Sequence, residues 1–169
     1  MSENTLVGNI RSRLIAQTWT GSSNVVFPTG SVAVVPTLVE GFRTALEMGF
    51  RTPFVLIAPV SAESDPEFDE EPNWIRFMVD ILFAVLVPGD GIGENAMLGA
   101  NKTGGSTQSE GRGILELEPE VYNAIGKLNP LESVTLQIRQ RGEQGGSSDG
   151  RGNYIAYRVL TFETFGSAT

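Results

Sequence analysis

The sequence predicts an α+β domain: an antiparallel sheet of about four strands with helices packed on one face and two long glycine-rich loops. Trp74 to Val87 (WIRFMVDILFAVLV) is rich in β-branched and aromatic residues, which is typical of one long strand. Ser133 to Arg141 and Asn153 to Glu163 alternate apolar and polar residues and predict a hairpin with a long tip. Apolar residues recur at helical spacing in three other segments.

The long strand is apolar on both faces. Every second residue from Ile75 to Val87 is apolar, and the other face carries Arg76 and Asp80 among Met78, Leu82, Ala84 and Leu86. An antiparallel strand with one face in water would alternate apolar and polar residues. We therefore expect a helix of the same chain over one face and a neighbouring subunit over the other. This pattern favours assembly over catalysis.

The remaining elements follow from local patterns. A first helix is predicted from Glu3 to Gln17, with a stripe of Leu6, Ile10 and Leu14. Short extended runs at Val25 to Phe27 and Val32 to Val35 precede a second helix, which has Pro36 in its first turn and Gly49 as a left-handed cap. Phe54 to Ala58 predicts a short buried strand, and Ile114 to Leu128 a third helix, best from Pro119 onward with Val121, Ile125 and Leu128 as its stripe.

Four segments are predicted to lack regular structure. Glu63 to Glu71 is an acidic loop, and Asp90 to Gly113 is long, polar and rich in glycine. Gly142 to Gly152 predicts a flexible connection, and Phe165 to Thr169 a loose tail.

Composition bounds the function. A chain of 169 residues fits a single domain, 1–169, and no apolar run is long enough to span a bilayer. The N-terminus has no apolar segment after a basic one, so we expect no signal peptide and a location in the cytoplasm of the producing cell.

The chain contains neither cysteine nor histidine. Thiolate chemistry and disulfides are therefore excluded, and the commonest general base and metal ligand are missing. The formal net charge of −8 argues against tight binding of nucleic acid, though not against a surface past which DNA slides. We expect no enzyme, no cofactor and no metal. A small hydrolase that uses Asp80 and a glutamate remains the alternative.

Two segments could bind small ligands. Gly89 to Gly93 follows a strand, but the residues after Gly93 open no apolar helix, so a turn is favoured over a nucleotide loop. The acidic residues Asp65, Glu67, Asp69, Glu70 and Glu71 could bind calcium, but their spacing does not match an EF-hand and a hydrated loop is favoured. Lining a channel, these carboxylates would repel a polyanion.

Buried and clustered charges suggest an interface. Asp80 lies among apolar neighbours and is expected to pair with Arg76, Arg139 or Arg158, within the subunit or across an interface. Arg139, Arg141 and Arg151 flank the hairpin tip and give it local positive charge in an acidic chain. Simple solvation is one interpretation, and a docking finger for an acidic surface is the other.

The order of elements resembles the tail terminator proteins of long-tailed bacteriophages. The resemblance lies in LVGNIRSRLIAQ, RTALEMGFRTPFVLIA, WIRFMVDILFAVLV, LELEPEVYNAIGKL and the hairpin VTLQIRQR with YIAYRVLTFET. It covers most of the chain but is a pattern of elements, without a short diagnostic motif. The two glycine-rich loops have no fixed family sequence.

The resemblance implies a structural virion protein that forms a hexameric ring at the head-proximal end of the tail tube. Such a ring stops tube polymerisation and joins the tail to the head, so the implied partners are further copies of the chain, the tail tube protein and the head–tail connector. It implies a location in the virion after assembly in the host cytoplasm, DNA passing through the lumen, and no catalytic residues. A connector component or a tube subunit is the nearest alternative.

Overall fold

The computed structural model describes residues 3–64, 74–88, 93–99, 112–126, 137–148 and 152–167. Within these ranges the chain forms four helices and five strands. The helices are α1 (Glu3–Ala16), α2 (Leu38–Glu47), α3 (Glu94–Leu98) and α4 (Ile114–Gly126). The strands are β1 (Val32–Val34), β2 (Phe54–Ser64), β3 (Trp74–Pro88), β4 (Gln137–Ser148) and β5 (Asn153–Ser167).

The strands form one mixed sheet in the order β1-β2-β3-β5-β4. The α+β class and the long strand are confirmed. The sheet has one strand more than predicted, and it is mixed because β1 runs parallel to β2 while the other pairs are antiparallel. A parallel β1 is possible because α2 carries the chain back before β2 begins.

β3 is the centre of two apolar clusters, one on each face of the sheet. On one face Phe77, Val79, Ile81 and Phe83 pack with α1, α3 and α4. On the other face Leu82 and Ala84 pack with Ala45, Leu38 and Phe42 of α2. The prediction that all helices cover one face is therefore wrong for α2. This helix supplies the cover that the sequence pattern had assigned to a neighbouring subunit.

Three strands run further than their sequences predicted. Glu63 and Ser64 belong to β2 and pair with β3, so the predicted acidic loop starts later. Gly142 to Ser148 belong to β4, where a flexible connection was expected, and residues 165–167 belong to β5, where a loose tail was expected. Pairing with a long neighbour is the physical reason, β3 for β2 and β5 and then β5 for β4, because a paired neighbour satisfies backbone groups whatever the local propensity.

The helices depart from prediction at their ends. The stripe Leu6, Ile10 and Leu14 on α1 is fully buried, as predicted. α4 starts at Ile114, so Pro119 lies inside the helix and does not open it. α3 follows Gly93, where no helix was predicted. With five residues, it is too short to be the helix that follows the glycine-rich turn of a dinucleotide-binding fold.

The start of α2 and the short runs before it also differ. Thr37 caps α2, so Pro36 precedes the helix and is not in its first turn. Gly49 has φ +65, which confirms the left-handed residue expected after α2. Val25 makes an isolated bridge to Thr18 in place of the predicted extended run.

Candidate subunit interface

The outer edge of β2 is only partly covered. β1 pairs with Val55 to Ile57, with flanking hydrogen bonds from Val35 N to Ile57 O (2.9 Å) and from Val55 N to Ser31 O (2.8 Å). Beyond Ile57, β2 continues to Ser64, and among the described residues no strand pairs with its outer side. The register shifts between Pro59 and Ser61, and the Val60 side chain is 51% exposed.

The opposite edge of the sheet is β4, which pairs only with β5 within the described ranges. Its register shifts between Ile138 and Gln140 and again between Arg141 and Gln144. Such bulges increase the local twist of an edge strand. We name the two borders the β2 edge, residues 58–64, and the β4 edge, residues 137–141.

Glycines let β4 approach the aromatic side chains of β5 closely. A Cβ on Gly145 would collide with the Tyr157 ring, and one on Gly146 would lie 2.7 Å from Tyr154 Cε1. The bare backbone of β4 therefore accepts these two rings, which project to opposite faces of the sheet. The glycine-rich sequence that suggested a flexible loop serves packing within a strand.

The predicted arginines and carboxylates are placed as follows. Arg139 and Arg141 lie on the β4 edge. Arg151 and the acidic residues Asp65, Glu67, Asp69, Glu70 and Glu71 lie outside the described residues, so their proposed roles stay predictions. Glu63, the first carboxylate of the predicted acidic loop, lies on the β2 edge instead.

Asp80 and Arg158 do not form the expected pair. Asp80 Oδ1 accepts a hydrogen bond of 2.6 Å from Thr161 Oγ1 on the neighbouring strand. Arg158 pairs in register with Phe83, which places it on the opposite face of the sheet from Asp80. Arg76 and Asp80 occupy the same face, separated along β3 by Met78.

Arg158 forms a part-buried ion pair that the sequence analysis missed. Its guanidinium contacts the Glu118 carboxylate of α4 and the Gln144 amide oxygen of β4. The two charged side chains are only 16% and 8% exposed. The pair ties α4 to the middle of β5, so its role is to orient this helix on the sheet. Alternation along β5 shows that Arg158 shares a face with Ala156 and Leu160, which was the available signal.

A second polar anchor joins α4 to the segment after α1. Glu120 Oε1 accepts from the Thr20 backbone N–H (2.8 Å), and its Oε2 accepts from Gln17 Nε2 (2.9 Å). Burial alone would raise the pKa of Glu120, but hydrogen bonds from Thr20, Gln17 and Asn123 outweigh it and lower that pKa below its usual value. The carboxylate is therefore held ionised and fixes the turn that follows α1.

Next to this anchor, Trp19 is buried and the Arg112 guanidinium lies 4.1 Å from the centroid of its ring. One residue further on, Gly113 packs directly against the backbone of Met97 and Gly99 at the end of α3, with no space for a Cβ. These contacts fix the start of α4. Neither they nor the two anchors form a catalytic constellation.

The described residues contain no group of three or more histidine, cysteine, aspartate or glutamate side chains that could hold a metal ion. No helix within the same ranges is long and apolar enough to cross a membrane.

Comparison with models of known protein families finds none that matches this chain, and comparison with curated proteins finds no significant match. The tail terminator assignment therefore stays a proposal, and the function is argued from the fold and the two edges.

Proposed function

We propose that this protein is a structural component of a bacteriophage tail. It forms a closed ring at the head-proximal end of the tail tube, where it ends tube polymerisation and joins the tail to the head connector. The order of its elements supports this function: two N-terminal helices, a long central strand, a further helix and a closing hairpin follow one another as in the terminator family.

The observation that carries the proposal is the pair of unlike edges on one sheet. The β2 edge contains Glu63 and lies beyond the short parallel strand β1, whereas the β4 edge contains Arg139 and Arg141 and has a register shift between Ile138 and Gln140. Two different surfaces of one subunit can join head to tail, and such contacts make a ring when the rotation closes. A symmetric dimer would instead use one surface twice.

The apolar strand alone no longer supports assembly, because α2 covers Leu82 and Ala84. What remains beyond α2 on that face is partly polar, with Arg76, Asp80 and Thr161 all half-buried. This surface suits a wet interface or a lumen wall better than an apolar subunit contact.

Imaging of the purified protein by negative stain, with light scattering on the same sample, tests the function. Rings of one size support a terminator or a connector component. Filaments would show a tube subunit and contradict the proposed function. A single unit at every concentration and salt would overturn assembly altogether.

A capping assay then separates a terminator from a connector component. The rings are added to tail tube protein from the same phage while it polymerises. A terminator stops elongation and stays at one tube end, whereas rings that leave tube length unchanged contradict that role.

The lumen role has its own test. Replacing Asp65, Glu67, Asp69, Glu70 and Glu71 with the corresponding amides removes the negative charge of the predicted acidic loop. In assembled particles we expect slower DNA ejection with ring formation intact, because a neutral wall no longer repels phosphates. Unchanged ejection would contradict an acidic lumen.

A further inference from the structure

We draw no further inference here: the strongest candidate, the partly buried apolar patch that Phe42 of α2 forms with Tyr157 and Val159 of β5 on one face of the sheet, carries nothing, because nothing in the structure shows what covers it.

Discussion

The Glu120 anchor gives the sharpest prediction about the fold. Its carboxylate accepts hydrogen bonds from the Thr20 backbone N–H at 2.8 Å and from Gln17 Nε2 at 2.9 Å. Glu120→Gln keeps the shape of the side chain and one acceptor oxygen but removes the charge. Glu120→Ala removes both acceptors.

The magnitude follows from these contacts. A hydrogen bond to a charged group contributes about 1.5–3 kcal/mol, and a bond between neutral groups about 1 kcal/mol. We therefore expect Glu120→Gln to lower the free energy of unfolding by about 1–2 kcal/mol at neutral pH. Glu120→Ala should cost about 3 kcal/mol, because Thr20 and Gln17 lie near the surface and water can replace part of what they lose. These are large fractions of a total stability of about 5–15 kcal/mol.

The pH dependence has a defined sign. The pKa of Glu120 is lowered in the folded state from its ordinary value of 4.5. Its stabilisation is therefore complete above that value and is lost as pH falls through the lower, folded-state pKa. Urea unfolding at about pH 7, 5 and 3 should show the gap between the natural protein and Glu120→Gln narrowing at the lowest pH.

Glu47→Gln is the matched control, because Glu47 lies in an exposed pair with Arg43 at 4.0 Å and such pairs contribute little. We expect it to change the unfolding free energy by less than about 0.5 kcal/mol. A gap for Glu120→Gln that stays the same from neutral to acid pH, or no gap at neutral pH, would refute the assigned role of the carboxylate.

Three further changes test the packing. Gly113→Ala should lower the free energy of unfolding by more than about 3 kcal/mol in thermal or urea unfolding, because the added Cβ would collide with backbone atoms. Gly8→Ala, in open space on α1, should raise that free energy by about 0.5–1 kcal/mol. Equal effects of the two substitutions would contradict the close approach at Gly113. Arg158→Met should lower the free energy of unfolding by about 3–5 kcal/mol, because Glu118 stays buried without the Arg158 cation. Adding Glu118→Leu should restore most of that stability. If the effects of the two substitutions simply add, the two side chains are not coupled. Thr164→Val should be neutral or stabilising in the same assay, because Thr164 Oγ1 is buried with no hydrogen-bond partner among the described residues; a clear loss would reveal a partner.

The sequence predicted the buried residues correctly wherever burial makes apolar residues recur at a regular spacing. The stripe Leu6, Ile10 and Leu14 and the alternation from Phe77 to Val85 both match the observed core. Residues 142–148 were wrongly predicted to be a flexible connection, because glycine has a low strand propensity. In the fold these glycines give the Tyr154 and Tyr157 rings room, and β5 supplies the pairing.

The polar contacts were not predictable to the same degree. Sequence shows that Asp80 and Arg158 lie on strands, but the register that puts them on opposite faces depends on tertiary pairing. Glu118 and Glu120 lie in the predicted third helix, and the sequence does not indicate what they contact. Their partners, Arg158 on β5 and Thr20 after α1, are distant along the chain and meet them only in the folded protein.

Arg139 and Arg141 were proposed from the sequence as interface residues, and their position on a sheet border became evident only from the strand order. The prediction that a neighbouring subunit covers the long strand was too simple. Its second face is covered by α2 at one end, and among the described strands the backbone without a partner strand lies at the sheet borders.

Light scattering on purified protein over a wide concentration range shows whether the subunits close into a ring. We predict one closed particle whose mass is a fixed multiple of the 18.2 kDa subunit, six by the family resemblance, without growth at higher concentration. A mass of one subunit throughout, or a mass that rises without limit, would contradict a ring built by joining two unlike edges of the same sheet.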